Sequence, residues 1–525
     1  MMQCVYSRPF LCYCLFALIL FTSQYSALSW SLFSEDDSHV LQLALSYDWF
    51  SPYFQPEVYQ QLSIVHFTPL ILSIYRAMLE LFGLNSQAFV GMQLFFMSLL
   101  SALAGYYIWR VKAHFSAGLL AIVLIFSSLS LLPMLSRFYT VHYILGAIFA
   151  LLTLLLIQRK TPFSAFTLIA LFATTFLALL AKEIYLMLLP ILWLMLWRNR
   201  SAPALASVTL ALGGYMALRI YMLGFSTEGR SGQSFLSDLL RLDLAVWLNF
   251  GYWYVTNKLF ILLFCAIALI RAPTTACFYL AGATLFLLPT LAAPHAFEAP
   301  NLHGDRLFFG FDCALVIASV LAIYSKPVST RWLMAVTLAL LLAAFFMQRS
   351  HIKNFTAQQT AFPSYKISHF ILTNTDRTPT TILTPLSYLQ GEFMNIYRMI
   401  GEPWLNITQN CQQALLSIKA GQKLLVFDDQ GQQIGQDTLL NRCQSADNIA
   451  TVKTAPEFHH GLLKWDITVP TAYLGGVLLI DRGIAIATPT LQQRLVRPKP
   501  DERYQLFIRK GDLWWFSDIR MINVY

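Results

Sequence analysis

The sequence predicts an all-α polytopic membrane domain followed by a C-terminal extracytoplasmic mixed α/β domain, and three observations predict it. Of 525 residues, 57% are hydrophobic and only 12% charged. With a mean hydropathy of +0.56, the chain carries more apolar surface than one soluble core can hide. Apolar runs of spanning length, about 20 residues each at a 1.5 Å rise, recur along the first two thirds. They stop near residue 348, where the composition turns polar. The domains expected are therefore 1–348 in the membrane and 349–525 outside it.

The first run, Leu11 to Leu32, follows Arg8 and lacks a small-x-small site before the acidic residues that end it. It reads as an uncleaved signal anchor. Phe33-Ser34-Glu35-Asp36-Asp37-Ser38-His39 follows at once. Ionised carboxylates are very costly in hydrocarbon, so this cluster belongs at or beyond the membrane surface, in a first outer loop over 33–86. Within that loop, Ile64 to Leu81 has apolar residues at helical spacing with Arg76 and Glu80 among them. That pattern predicts an amphipathic helix lying on the membrane.

Further runs are expected at 87–109, 115–135, 138–157, 163–181, 184–197, 203–223, 257–270, 275–293, 306–324 and 331–347. With the first they make about eleven spans. Loop charges test this parsing independently, because cytoplasmic loops are rich in Lys and Arg. With the N-terminus inside, Arg110 and Lys112, Arg159 and Lys160, Arg198 and Arg200, Arg271, and Lys326 and Arg331 all fall on the inner side. Trp197, Trp253 and Tyr254 near span ends fit interfacial belts. The expected location is a multi-pass protein of the bacterial inner membrane, with a cytoplasmic N-terminus and a periplasmic C-terminal domain.

The net charge of +9 would suggest nucleic acid only if the basic residues gathered on a soluble face. Most lie in short loops, so no nucleic-acid partner is expected. Residues 349–525 contain short strand-like pieces, Lys423 to Phe427 and Gly476 to Ile480, punctuated by turns such as Asp429-Gln-Gly431. Cys411 and Cys443 lie in this part. An oxidising compartment would allow them to bridge, and spacing alone does not decide it.

The polar groups expected on the outer side are Glu35, Asp36, Asp37, His39, His66, Arg137 with Tyr139 and His142, Lys182 and Glu183, Arg230, Arg241, His295, Glu298, His303, Asp305 and Arg306. Carboxylates with several cations at one depth describe a site that deprotonates an acceptor while holding an anionic leaving group. Arg137 and His142 suit a phosphate or an acceptor, or else anchor the helix end. His39 and His66 lack regular ligand spacing, and no metal site is assigned to them.

An anchor followed by an acidic cluster, then His66-Phe-Thr-Pro69-Leu-Ile-Leu and Leu81-Phe-Gly83, resembles the GT-C glycosyltransferases. Leu180-Ala-Lys182-Glu183 closing the fifth run and His303-Gly-Asp-Arg306-Leu-Phe-Phe opening a late one carry the same resemblance. These membrane enzymes, which include protein mannosyltransferases and the aminoarabinose transferases of lipid A, use polyprenyl-phosphate sugars. The resemblance implies a GT-C type membrane domain that takes a polyprenyl-phosphate sugar donor among membrane lipids and a lipid, glycan or protein acceptor. It makes a first-loop acid the catalytic group, with Asp36 first, Asp37 second and Glu35 beside them. That acid would act as general base or as a ligand to a divalent cation, Mg or Mn. Lys182 and Arg306 would face the donor phosphate, and Glu183 would orient Lys182 or bind the acceptor. The alternative is a transporter or flippase of a lipid-linked or anionic substrate, which would show repeats and charges near the midplane.

Overall fold

The computed structural model describes residues 8–30, 36–158, 163–224, 243–291, 297, 306–327 and 329–361. Beyond these it describes 365–367, 369–370, 378–383, 414, 421–428, 430–435 and a series of short strands between 405 and 521. The chain forms two compact units, 1–31 with 47–356, and 32–46 with 357–525. The division expected at 348/349 thus falls at 356/357, within a helix over Thr330–Ala361, and the acidic segment groups with the second unit.

The first unit is a helical membrane bundle. Among the described residues, seven helices are long and apolar enough to cross a membrane: Pro9–Leu28, Ser86–Lys112, Phe138–Ile157, Ala202–Leu223, Leu244–Arg271, Pro273–Leu291 and Met334–Ala361. Phe115–Phe126, Ala165–Ala181 and Phe309–Ile323 are shorter apolar helices. The run expected at 184–197 is a 3-10 turn, Glu183–Leu188, continued by the helix Leu189–Arg198 with Pro190 in its first turn. The run expected at 115–135 breaks after Phe126, where Ser127, Ser128 and Ser130 interrupt the apolar pattern, and a short helix resumes at Leu131–Leu135.

Local signals set several of these ends. Asn85 caps Ser86–Lys112 by accepting from the Ala88 N–H at 3.2 Å, and Arg110 and Lys112 occupy the last turn, where cations suit the helix dipole. Asp243 caps the fifth of these long spans, Leu244–Arg271, in the same way, accepting from the Val246 N–H at 2.8 Å. The spans Ser86–Lys112 and Phe138–Ile157 are 67% and 72% buried, against 22–28% for the four long spans from Ala202 onward. These two therefore form the centre of the bundle, and the later spans turn side chains such as Leu210 and Ile270 outward.

Two expectations are corrected. The amphipathic helix runs Leu70–Phe82, later than the predicted start at Ile64, because Pro69 occupies its N-cap. The span expected at 257–270 begins at Leu244 and runs 28 residues, with non-helical backbone at Lys258. Its N-terminal half mixes Asn249, Gly251 and Asn257 with aromatics, which hid it from an apolar window.

One glycine has a packing reason. A Cβ on Gly146 would lie 2.1 Å from the Tyr185 ring, and Tyr185 is itself held by a hydrogen bond from its hydroxyl to the Tyr143 carbonyl. Gly146→Ala should destabilise the protein by about 1–3 kcal/mol through overpacking. Thermal unfolding of the purified protein in detergent measures this, and an unchanged midpoint would show that the ring moves freely.

In the second unit, Asp36–Ser46 is a helix where a loop was expected, with Val40, Leu41, Leu43 and Ala44 buried. Two carboxylates in its first turn suit the positive end of the helix dipole. The C-terminal part holds a sheet of β1 (Thr380–Leu383), β2 (Leu405–Thr408), β3 (Lys423–Phe427) and β4 (Gln433–Ile434) in the order β2-β1-β3-β4. The first three are parallel, with Ile382 opposite both Ile407 and Leu425, and β4 runs antiparallel. A second sheet is built around the antiparallel strands Leu474–Leu479 and Arg503–Lys510. Cys443 begins a strand, and Cys411 lies outside the described residues.

Candidate active site

The site forms where helices of the bundle break. Ala165–Ala181 ends at Lys182, whose extended backbone turns the chain into Glu183–Leu188. One Glu183 oxygen accepts from the Phe67 backbone N–H at 3.1 Å and from Arg219 Nε at 3.1 Å. The other meets His66 Nδ1 at 2.8 Å. Arg219 Nη2 donates to the Val65 carbonyl at 3.2 Å, and the Tyr215 hydroxyl reaches the Phe67 carbonyl at 3.3 Å. Tyr59 completes the arrangement, donating to the His66 carbonyl and accepting from the Thr68 N–H, each at 2.6 Å. Residues 65–68 are thereby tied to Glu183 and to the helix Ala202–Leu223.

Lys182 points elsewhere. Its ammonium lies 5.1 Å from the centre of the Tyr143 ring, and among the described residues no carboxylate pairs with it. Beside Tyr143, His142 is buried and its Nδ1 hydrogen-bonds the Tyr139 carbonyl at 2.6 Å. In the neutral ring this fixes the proton on Nδ1 and leaves Nε2 as an acceptor. The Arg306 guanidinium lies 5.1 Å from the Tyr139 ring centre and donates to the Tyr139 hydroxyl. Arg137, two residues before Tyr139, is buried.

The groups therefore form one string: Arg306, Tyr139, His142, Tyr143, Lys182, Glu183, His66, Arg219. Among the described residues it holds the cations Lys182, Arg219 and Arg306 and the carboxylate of Glu183. Such a region attracts an anion, and Lys182 carries the charge least committed to protein partners. Lys182 also shapes the titration of its neighbours. Its charge is the chief cause that holds the His66 imidazole below its ordinary value, only partly opposed by the hydrogen bond to Glu183. Burial pushes the Glu183 carboxyl up, but His66, Lys182 and the Phe67 N–H outweigh it and hold Glu183 ionised.

Of the groups expected from sequence, the fold brings together His66, Tyr139, His142, Lys182, Glu183 and Arg306, and it buries Arg137 two residues before Tyr139. Glu183 accepts hydrogen bonds from the first-loop segment, Tyr215 and Arg219, and among the described residues none comes from Lys182. Asp36 and Asp37 open the helix of the second unit, where Asp37 is 1% exposed and His39 half-buried. Glu35 and the Asp36 side chain lie outside the described residues, as do Arg230, Arg241, His295, Glu298, His303 and Asp305. Among the described residues no three His, Cys, Asp or Glu side chains gather as a metal site. Glu183 has four partners of its own, His66, the Phe67 N–H, the Tyr215 hydroxyl and Arg219.

Sequence reasoning missed two features inside the spans. Arg219 sits near the end of Ala202–Leu223, and Lys258 pairs with Asp312 across two helices. Both were detectable in principle, because an ionisable residue within a membrane span is a functional candidate by default. Neither Lys258 nor Asp312 is among the polar groups expected on the outer side.

No protein-family model matches the chain, and no curated protein matches it. Among solved structures it is similar to the crystal structure of ArnT from Cupriavidus metallidurans bound to undecaprenyl phosphate. The TM-score is 0.44 and the identity 11%, over 85% of this chain and 96% of that one.

Proposed function

We propose that this chain is a membrane glycosyltransferase that moves a sugar from a polyprenyl-phosphate carrier to a lipid, glycan or protein acceptor at the outer face of the cytoplasmic membrane. What carries this reading is the cationic string at the broken helix ends, centred on a Lys182 that no carboxylate neutralises among the described residues. A polyprenyl phosphate leaves as an anion and needs no proton, so cations suffice to stabilise it. The acceptor oxygen or nitrogen forms a bond to the anomeric carbon while the bond from that carbon to the phosphate oxygen breaks. The electron pair departs with the phosphate, and the acceptor's proton goes to a carboxylate base.

For that base the reading takes Asp36, with Glu35 beside it. Asp37, being almost fully buried, comes second. Where a divalent cation is used, it would add further positive charge at the same carboxylates. The flippase alternative would draw on the Lys258–Asp312 pair, but the three ammonium donors of Lys258 each meet an acceptor, in Ser128, Ser130 and Asp312. That network offers no free group to a cargo.

The test is transfer of radiolabelled sugar from polyprenyl-phosphate donors into lipid, glycan and protein fractions of membranes. Asp36→Asn at matched expression should lower transfer by about 10²–10⁴-fold, the range for loss of a general base. Equal transfer by wild type, by the variant and by membranes lacking the protein would sink the assignment for the donors tried.

A further inference from the structure

Deep in the first unit, Lys258 is 2% exposed and Asp312 5%. Lys258 Nζ donates to Ser128 Oγ at 2.9 Å, to Ser130 Oγ and to Asp312 Oδ2, while the Tyr254 hydroxyl donates to Asp312 Oδ1 at 2.8 Å. The break that carries the serines is held twice more. The Leu129 N–H donates to the Asn257 carbonyl at 3.1 Å, and Gln348 Nε2 donates to the Phe126 and Ser128 carbonyls at 3.0 and 2.9 Å. At Lys258 itself the helix Leu244–Arg271 leaves helical geometry, at φ −123° and ψ 19°.

A buried ion pair is weak evidence for stability, because desolvation of both charges offsets much of their attraction. What this one does is fix geometry. It joins the break at 127–130, the kink at 258 and the first turn of Phe309–Ile323. From the break the chain runs nine residues from Ser130 to Tyr139, and in the other element Asp312 stands six residues after Arg306. The kinked N-terminal half of Leu244–Arg271 also packs Phe250 and Tyr254 on Phe308, with ring centres 5.1 and 5.7 Å apart, two residues from Arg306. Both partners of the Arg306–Tyr139 contact therefore hang from one polar clamp.

We infer that the Lys258–Asp312 network, with Ser128, Ser130 and Tyr254, is a positioning device that sets Arg306 against Tyr139 for recognition of a lipid-borne phosphate. The ligand class in this statement rests on the function proposed above; the clamp itself does not. A lone Lys258→Met would strand a buried carboxylate, so the informative variant is Lys258→Met with Asp312→Leu, which removes both charges and keeps the volume.

Two measurements on the purified full-length protein in lipid nanodiscs separate the claims. Hydrogen exchange read by mass spectrometry should speed up in segments 128–140 and 306–312 of the double variant and stay unchanged in 165–223. Unchanged exchange in both segments, or a rise throughout the bundle, would overturn the clamp. Binding of polyprenyl phosphate should weaken about tenfold, the effect of a coupling near 1.4 kcal/mol, and adding Arg306→Ala should cost nothing more. A loss that adds in full to that of Arg306→Ala would show that Lys258 and Asp312 do not act through Arg306. A wild type that binds no polyprenyl phosphate would sink the donor reading, and the exchange result would then decide the clamp alone. If the double variant does not purify, Tyr254→Phe, which deletes one bond to Asp312, carries the same exchange expectation.

Discussion

Lys182→Ala should lower sugar transfer by about 10²–10³-fold while the protein stays folded, because removing one preorganised group from a developing oxyanion costs about 3–4 kcal/mol. The fold survives because Lys182 leaves nothing stranded. Its ammonium has no carboxylate partner among the described residues, and its contact with Tyr143 is worth about 1 kcal/mol. Arg306→Ala should fall in the same range. Arg306→Lys should recover little of it, since a lysine keeps the charge but loses the planar group that stacks on Tyr139 and forks toward a phosphate. The measurement is initial transfer rate against donor concentration at fixed acceptor. A raised KM with unchanged kcat would place the two cations in ground-state binding of the donor, and a lowered kcat would place them at the departing phosphate. Unaltered kinetics in Lys182→Ala would remove the anion site from the mechanism.

The helical bundle was legible because a membrane helix satisfies its backbone within itself, so length and apolarity alone mark it. Where the pattern failed, polar residues had been admitted into a span for a tertiary reason. Asn249, Gly251 and Asn257 shortened the apparent run ending at Arg271, yet Asn257 and Lys258 are where that helix is tied to the break at Ser128. The site was half legible. Lys182-Glu183 at a span end and His66 ahead of an amphipathic helix stood out by residue type and position. That Glu183 belongs to His66 and Arg219 did not, because the pairs are 117 and 36 residues apart and meet through the packing of Ala202–Leu223 against both Ala165–Ala181 and the first-loop helices Ser51–Phe54 and Pro56–Tyr59. The acidic cluster departs in form from the loop that its sequence suggests. Its carboxylates open a helix, which gives Asp36 and Asp37 a structural use whatever else they do.

Glu183→Ala should be the most destabilising single change in the site, by about 3 kcal/mol, the low end for breaking an ion pair, since both partners keep some exposure. The loss has three parts. Arg219 would keep its charge, 24% exposed, without a carboxylate; the Phe67 N–H would lose its acceptor; and His66 would lose the partner that fixes its ring. Of their ties to Ala202–Leu223, residues 65–68 would keep only the bonds from Arg219 and Tyr215 to the Val65 and Phe67 carbonyls, so donor binding should fall together with stability. Glu183→Gln separates these effects, because the amide oxygen still accepts from Phe67 while the charge is gone. It also tests the acid limb of the stability curve. Glu183 is held at about 2 in the folded protein, below the ordinary value of about 4.3. The unfolded chain therefore takes up the proton first, and the stabilisation is whole above about 4.3 and lost as pH falls toward the folded value. Unfolding midpoints measured in detergent from neutral pH downward should drop over that window in wild type and drop less in Glu183→Gln. Parallel curves for the two proteins would mean that the Glu183 charge is not what joins the first loop to the bundle.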